Sequence, residues 1–112
     1  MTKPTLEFHE PGGDWVPTGI DGQSEQILAE DPQMGIYTRL LKFAPGTDTS
    51  PSGTLTHDFW EEIYILSGEI TDTRLACSFS AGDYACRPPG MEHGPWQSET
   101  GALLFEVRYV AR

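Results

Sequence analysis

The chain has three histidines, His9, His57 and His93. His9 lies in a polar start that runs into Pro11, where an imidazole is solvated. The other two have more informative surroundings. His57 opens His57-Asp58-Phe59-Trp60-Glu61-Glu62, so His57 and Glu61 are four residues apart. Even spacing on an extended segment puts both side chains on one face. His93 lies in Pro88-Pro89-Gly90-Met91-Glu92-His93-Gly94-Pro95-Trp96. The prolines disfavour helix and strand there and set a rigid turn that projects the imidazole. Two imidazoles and one carboxylate are the donors of a facial metal triad with open positions. Two surface histidines beside a solvated acidic pair are the alternative, and spacing leaves both open.

The elements that must position these groups are strands. Residues 34–43 alternate, with Tyr37, Arg39, Leu41 and Phe43 on one face. Residues 61–67 are β-branched and aromatic and stop at Gly68. Residues 74–79, 83–87 and 102–110 continue the pattern between Gly, Pro and Asp turns. Residues 24–31 carry helix formers behind a Ser N-cap candidate, cut short by Pro32. Residues 44–56 are the longest loop-like stretch, a length often tied to function. Short strands at near-regular spacing indicate an all-β sandwich or barrel.

Composition narrows the chemistry. The 112 residues hold 7 Lys plus Arg against 17 Asp plus Glu, a net charge of −10. Nucleic acid and anionic membrane surfaces both call for basic patches, so neither is an expected partner. The length suits one domain, expected over 1–112. A domain this small buries only about two-thirds of its unfolded surface, so a homodimer is expected. Met1-Thr2-Lys3-Pro4-Thr5 has no leader pattern, and the expected location is cytoplasmic. There Cys77 and Cys86 read as small apolar residues, though adjacent strands could bring them together. No nucleophile elbow, phosphate loop or paired glycosidase carboxylates are evident.

Gly82, five residues, Pro88, one residue, Gly90, two residues and His93 resemble the second sequence motif of the cupins, with Gln97 where that motif carries Asn. His57, three residues, Glu61, six residues and Gly68 resemble the second half of the first motif. The two motifs fall around 53–68 and 82–97. Upstream, Asp14-Trp15-Val16-Pro17 and Thr38 to Gly46 are similar to the cupin domain of ChrR-type anti-sigma factors and to acetylacetone-cleaving dioxygenases. The resemblance covers about residues 14–109. It implies a double-stranded β-helix, the jelly-roll barrel, and a dimer. It also implies a metal ligand at the first motif histidine, where this chain has Leu55. At most three ligands remain: His57, Glu61 and His93.

Around them, Phe59, Trp96, Arg87 and Gln97 are the candidate substrate-pocket residues. Phe59 shares parity with His57 and Glu61. Trp60 and Trp96 suit either pocket or packing, and Arg87 suits either an anionic substrate or a neighbouring carboxylate, the latter favoured. The resemblance implies a mononuclear non-haem iron dioxygenase acting on a small diketone, enol or aromatic acid. Fe(II) is the favoured metal, with Zn(II), Mn(II) and Ni(II) as alternatives. With a redox-inert metal, isomerase, cyclase or lyase chemistry follows, with Glu61 as the catalytic base. The further alternatives are a ligand- or metal-sensing module and a barrel that has lost its metal.

Overall fold

The computed structural model describes residues 3–110. Met1 and Thr2, part of the start read for a leader, lie outside the described residues, as do 111 and 112. Nine strands follow one another: β1 (Val16–Pro17), β2 (Gln23–Asp31), β3 (Ile36–Phe43), β4 (Thr47–Asp48), β5 (Trp60–Asp72), β6 (Cys77–Ser80), β7 (Tyr84–Arg87), β8 (Trp96–Ser98) and β9 (Ala102–Tyr109). The one helical turn among the described residues is a 3-10 turn at Ser50–Ser52. Among the described residues no helix is long and apolar enough to cross a membrane. Hydrogen-bonded strand order runs β1-β2-β3-β9-β5-β8-β4, with β6 and β7 also paired to β5. All pairings are antiparallel, and the sheet curls over one core.

Three local expectations are corrected. The helix-prone stretch 24–31 is strand β2, paired with β3 and bulged between Ile27 and Ala29. Weak helix propensity yields to a full ladder of partners. Pro32 and Gly35 serve a hairpin turn, closed by Asp31 Oδ1 accepting the Gln33 and Met34 N–H groups at 3.2 and 3.4 Å. The stretch 74–79 becomes strand only from Cys77. Its first residues form the β5–β6 turn, where Asp72 accepts the Leu75 N–H at 3.0 Å.

Gly68 does not end its strand. β5 passes through it, pairing with β9 and β7 before it and with β6 and β8 after it. Gly68 has φ +78°, and a Cβ there would overlap Gly101 O and come within 2.7 Å of Ala102 Cα. The glycine therefore lets one strand turn from one half of the barrel into the other against the β9 backbone.

Leu41, Phe43, Ile63, Ile65, Ile70, Ala102 and Leu104 form the buried core. Cys77 lies opposite Asp72 and Cys86 opposite Glu62, so β5 separates the thiols. Both are free and exposed.

Candidate metal centre

Loop 44–56 ends by docking on the proline-rich turn. Gly90 donates its N–H to His57 O at 2.8 Å. Leu55 and His93 exchange two backbone hydrogen bonds as an isolated antiparallel bridge. These contacts bring the two motifs together at one end of the barrel, where β5 begins.

His57, Glu61 and His93 converge. Their ligand atoms all lie within 4.8 Å of one another. His57 Nε2 is 3.9 Å from Glu61 Oε2, and the two imidazole centroids are 4.7 Å apart. Donors on one divalent ion sit roughly 3.0–3.4 Å apart for bonds of about 2.1 Å. Small rotamer movements would close that difference, so the donor set fits a metal of the imidazole–carboxylate class.

The electrostatics agree with that fit. Burial, aided by the Arg87 cation, pushes the His93 imidazole down to about 4. Burial and Arg108 lower His57. Both rings are therefore neutral at pH 7 with a lone pair to offer. His93 Nδ1 is 3.4 Å from Met91 O, which favours a proton on that nitrogen and leaves Nε2 as the donor to metal. Glu61 is 5% exposed. Arg87 donates to its Oε1 at 3.0 Å, leaving Oε2 on the histidine side.

The centre opens on a cavity of about 390 Å³. Arg87 and Trp96 both line it, with the guanidinium 5.4 Å from the Trp96 ring centroid. Arg87 thus meets a carboxylate, and that carboxylate is Glu61. Phe59 lies behind the centre: its ring stacks on His57 at 4.5 Å and carries the Arg108 guanidinium at 3.5 Å on its face. Gln97 is exposed, with its amide 3.4 Å from Asp48 on the neighbouring strand. Trp60 stacks on Tyr109 at 6.4 Å. Glu62 projects away from the cavity and accepts the Tyr84 hydroxyl.

Glu106 is a cavity residue that the sequence reasoning did not single out. It is 3% exposed and accepts Arg39 Nε and Nη2 at 3.1 and 2.9 Å. Arg39 reaches Glu25 with its other terminal nitrogen. Burial, reinforced by the charge of Glu61, pushes Glu106 up to about 6 against the pull of Arg39. The available signal was charge at matching levels of inward faces: Arg39 on β3 pairs with Glu106 on β9.

A curled antiparallel jelly roll with a two-histidine, one-carboxylate cluster inside its mouth defines a cupin. The family of ChrR cupin-like domains matches residues 9–109, and the chain belongs to that family. An RmlC-like cupin from Shewanella frigidimarina superposes with TM-score 0.76 at 20% identity, over 100% of this chain and 96% of that one. Acetylacetone dioxygenase from Acinetobacter johnsonii gives 0.71 at 14% identity, over 98% and 75%. The anti-sigma ChrR of Rhodobacter sphaeroides, solved in complex with SigE, gives 0.64 at 22% identity, over 83% of this chain and 46% of that one. No curated protein sequence matches the chain.

Proposed function

We propose that this domain is a metal-dependent small-molecule enzyme, a mononuclear non-haem iron dioxygenase for a small diketone, enol or aromatic acid. The convergence of His57, Glu61 and His93 at one end of the barrel cavity carries this reading. Fe(II) held there would supply dioxygen activation for carbon–carbon bond cleavage. The chain's own residues bind and orient. The two neutral imidazoles and Glu61 Oε2 would hold the ion, and Arg87 fixes the rotamer of Glu61 from behind. Absence of a third histidine ligand, with Leu55 in its place, leaves room for a chelating substrate.

The likeness in fold to an acetylacetone dioxygenase supports the choice of chemistry. The likeness to ChrR, solved with a sigma factor, supports a second reading as a ligand- or metal-sensing module. We also propose a homodimer through the outer sheet face, where Tyr84, Tyr64 and Phe105 lie side by side and are 58%, 45% and 36% exposed.

Metal analysis of untagged protein grown with each metal supplement tests the proposal, with His57→Ala and His93→Ala beside it. Stoichiometric iron in the wild type, lost in both variants, with oxygen uptake on a β-diketone, is the expected result. Substoichiometric metal under every supplement overturns the enzyme. Stoichiometric metal without turnover across a substrate panel selects the sensor.

A further inference from the structure

The cavity is graded from charged to apolar, and the strand register sets the gradient. On inward faces Tyr37 pairs with Arg108, Arg39 with Glu106, Leu41 with Leu104 and Phe43 with Ala102. On β5 the same levels read Glu61 opposite Arg108, Ile63 opposite Glu106 and Ile65 opposite Leu104. β3 and β9 thus change from charged to apolar between the Arg39–Glu106 and Leu41–Leu104 levels, and β5 changes one level earlier, between Glu61 and Ile63. The opposite half of the barrel continues the apolar end with Ile70 paired to Phe79. Residues from both ends line the same continuous cavity.

Charge at the polar end is close to balanced: Arg39, Arg87 and Arg108 stand against Glu25, Glu61, Glu106 and the buried Asp72, one negative charge in excess. A divalent ion on His57, Glu61 and His93 would therefore leave that end with net positive charge. An anionic oxygen head compensates it, whereas a neutral or cationic head does not.

The apolar end calls for its own partner. Leu41, Phe43, Ile65, Leu104, Ile70 and Phe79 wall most of that end, while Thr18 and Gln23, which also line the cavity, bond each other, and desolvating a polar group against the apolar wall costs free energy without return. The volume of about 390 Å³ corresponds to about a dozen water-sized groups, more than a four-carbon acid fills.

We infer that the cavity takes an amphipathic oxyanion: a compact two-oxygen anionic head at His57, Glu61 and His93, with an unbranched apolar tail along Leu104, Ile65 and Phe79. The choice of head rests on the metal reading above; the tail site rests on the register alone.

Calorimetric titration of zinc-loaded and metal-free protein with 2-oxobutanoate, 2-oxohexanoate and 2-oxooctanoate tests this inference. Each methylene added should tighten binding about fourfold. From the four-carbon to the eight-carbon acid the gain is on the order of a hundredfold. Phe79→Trp fills the apolar end. It should weaken the eight-carbon acid more than tenfold while leaving 2-oxobutanoate within twofold. Stoichiometric zinc with affinities flat across the series overturns the tail site and spares the metal centre. Length dependence persisting in protein that takes no metal supports the tail site and removes the metal centre. If Phe79→Trp fails to fold, the wild-type series decides by itself. Equal loss for all three acids in a folded Phe79→Trp overturns the inference.

Discussion

Leu55 and His93 face each other directly: Leu55 donates its N–H to His93 O at 2.8 Å, and His93 donates back to Leu55 O at 3.0 Å. Directly opposed residues of an antiparallel pair project to the same side, with Cα atoms about 5.5 Å apart when both bonds are made. The leucine that stands where the cupin motif carries a histidine is therefore beside a metal-ligand candidate.

The first prediction follows from that pairing. Leu55→His should place a third imidazole against the cluster and tighten zinc binding by at least about tenfold, the scale on which even indirect partners of a metal site act. Competition against a chromogenic chelator measures it. Unchanged affinity would mean that the loop cannot aim a ring at the ion from position 55.

Arg87 supplies the second. Its guanidinium is the cation that faces buried Glu61 at 3.0 Å. Arg87→Met retains an apolar stem against Trp96 and strands the carboxylate. Metal-free protein should lose on the order of 3 kcal/mol in urea unfolding. Saturating zinc should then stabilise the variant more than the wild type, because the ion takes over the missing cation. Equal stabilisation of the two proteins would mean that Glu61 is no ligand.

The third concerns acid. His93 titrates at about 4 in the folded protein against an ordinary value of 6.5, and His57 is lowered too. The unfolded chain then binds more protons than the folded one between these values, so stability is full above pH 6.5 and falls as pH drops towards 4. Glu106 acts oppositely. Raised from 4.5 to about 6, it takes up its proton first in the folded state and adds stability as pH falls through that window. Two histidines outweigh one carboxyl, and metal-free protein should weaken across pH 6.5 to 4. Urea midpoints at stepped pH check this. His93→Gln should flatten the slope, and an unchanged slope would show that His93 is not the group responsible.

Part of the site was readable from local sequence. His93 sits between Pro88-Pro89-Gly90 and Gly94-Pro95-Trp96, and turn residues keep their meaning without tertiary context, whereas His57 and Glu61 were tied together by their spacing. The strand interior was harder. On β9 the more apolar face, Leu103, Phe105 and Val107, is the outer one, and Ala102, Leu104 and Glu106 are the residues buried inside. Alternation locates two faces but does not say which one meets the core when the core itself holds charge. Gly68 misled for a related reason. A lone glycine marks either a strand end or a close backbone approach, and only the presence of Gly101 against it decides. The helix-prone 24–31 was overridden by a partner strand that local composition does not reveal.

The last prediction addresses that hidden charge. Arg39 binds Glu106 with two nitrogens and Glu25 with the third, and Glu106 is 3% exposed. Removing the cation alone leaves a buried carboxylate without its partner, so Arg39→Met should cost about 3–5 kcal/mol. Removing both ends of the buried pair is a different perturbation. Arg39→Met with Glu106→Leu replaces ions by side chains that suit the adjoining Leu41 and Leu104 level, and well-packed apolar replacements of buried pairs are often neutral. The double variant should therefore recover most of the loss, giving a coupling of at least about 2 kcal/mol in a double-mutant cycle. Additive losses would show that Arg39 works mainly through Glu25 at the rim. The same double variant separates stability from binding. Its extra apolar surface lies next to the proposed tail site, so a folded, stable variant should still bind 2-oxooctanoate more tightly than 2-oxobutanoate. Loss of that preference in a folded variant would count against the tail site.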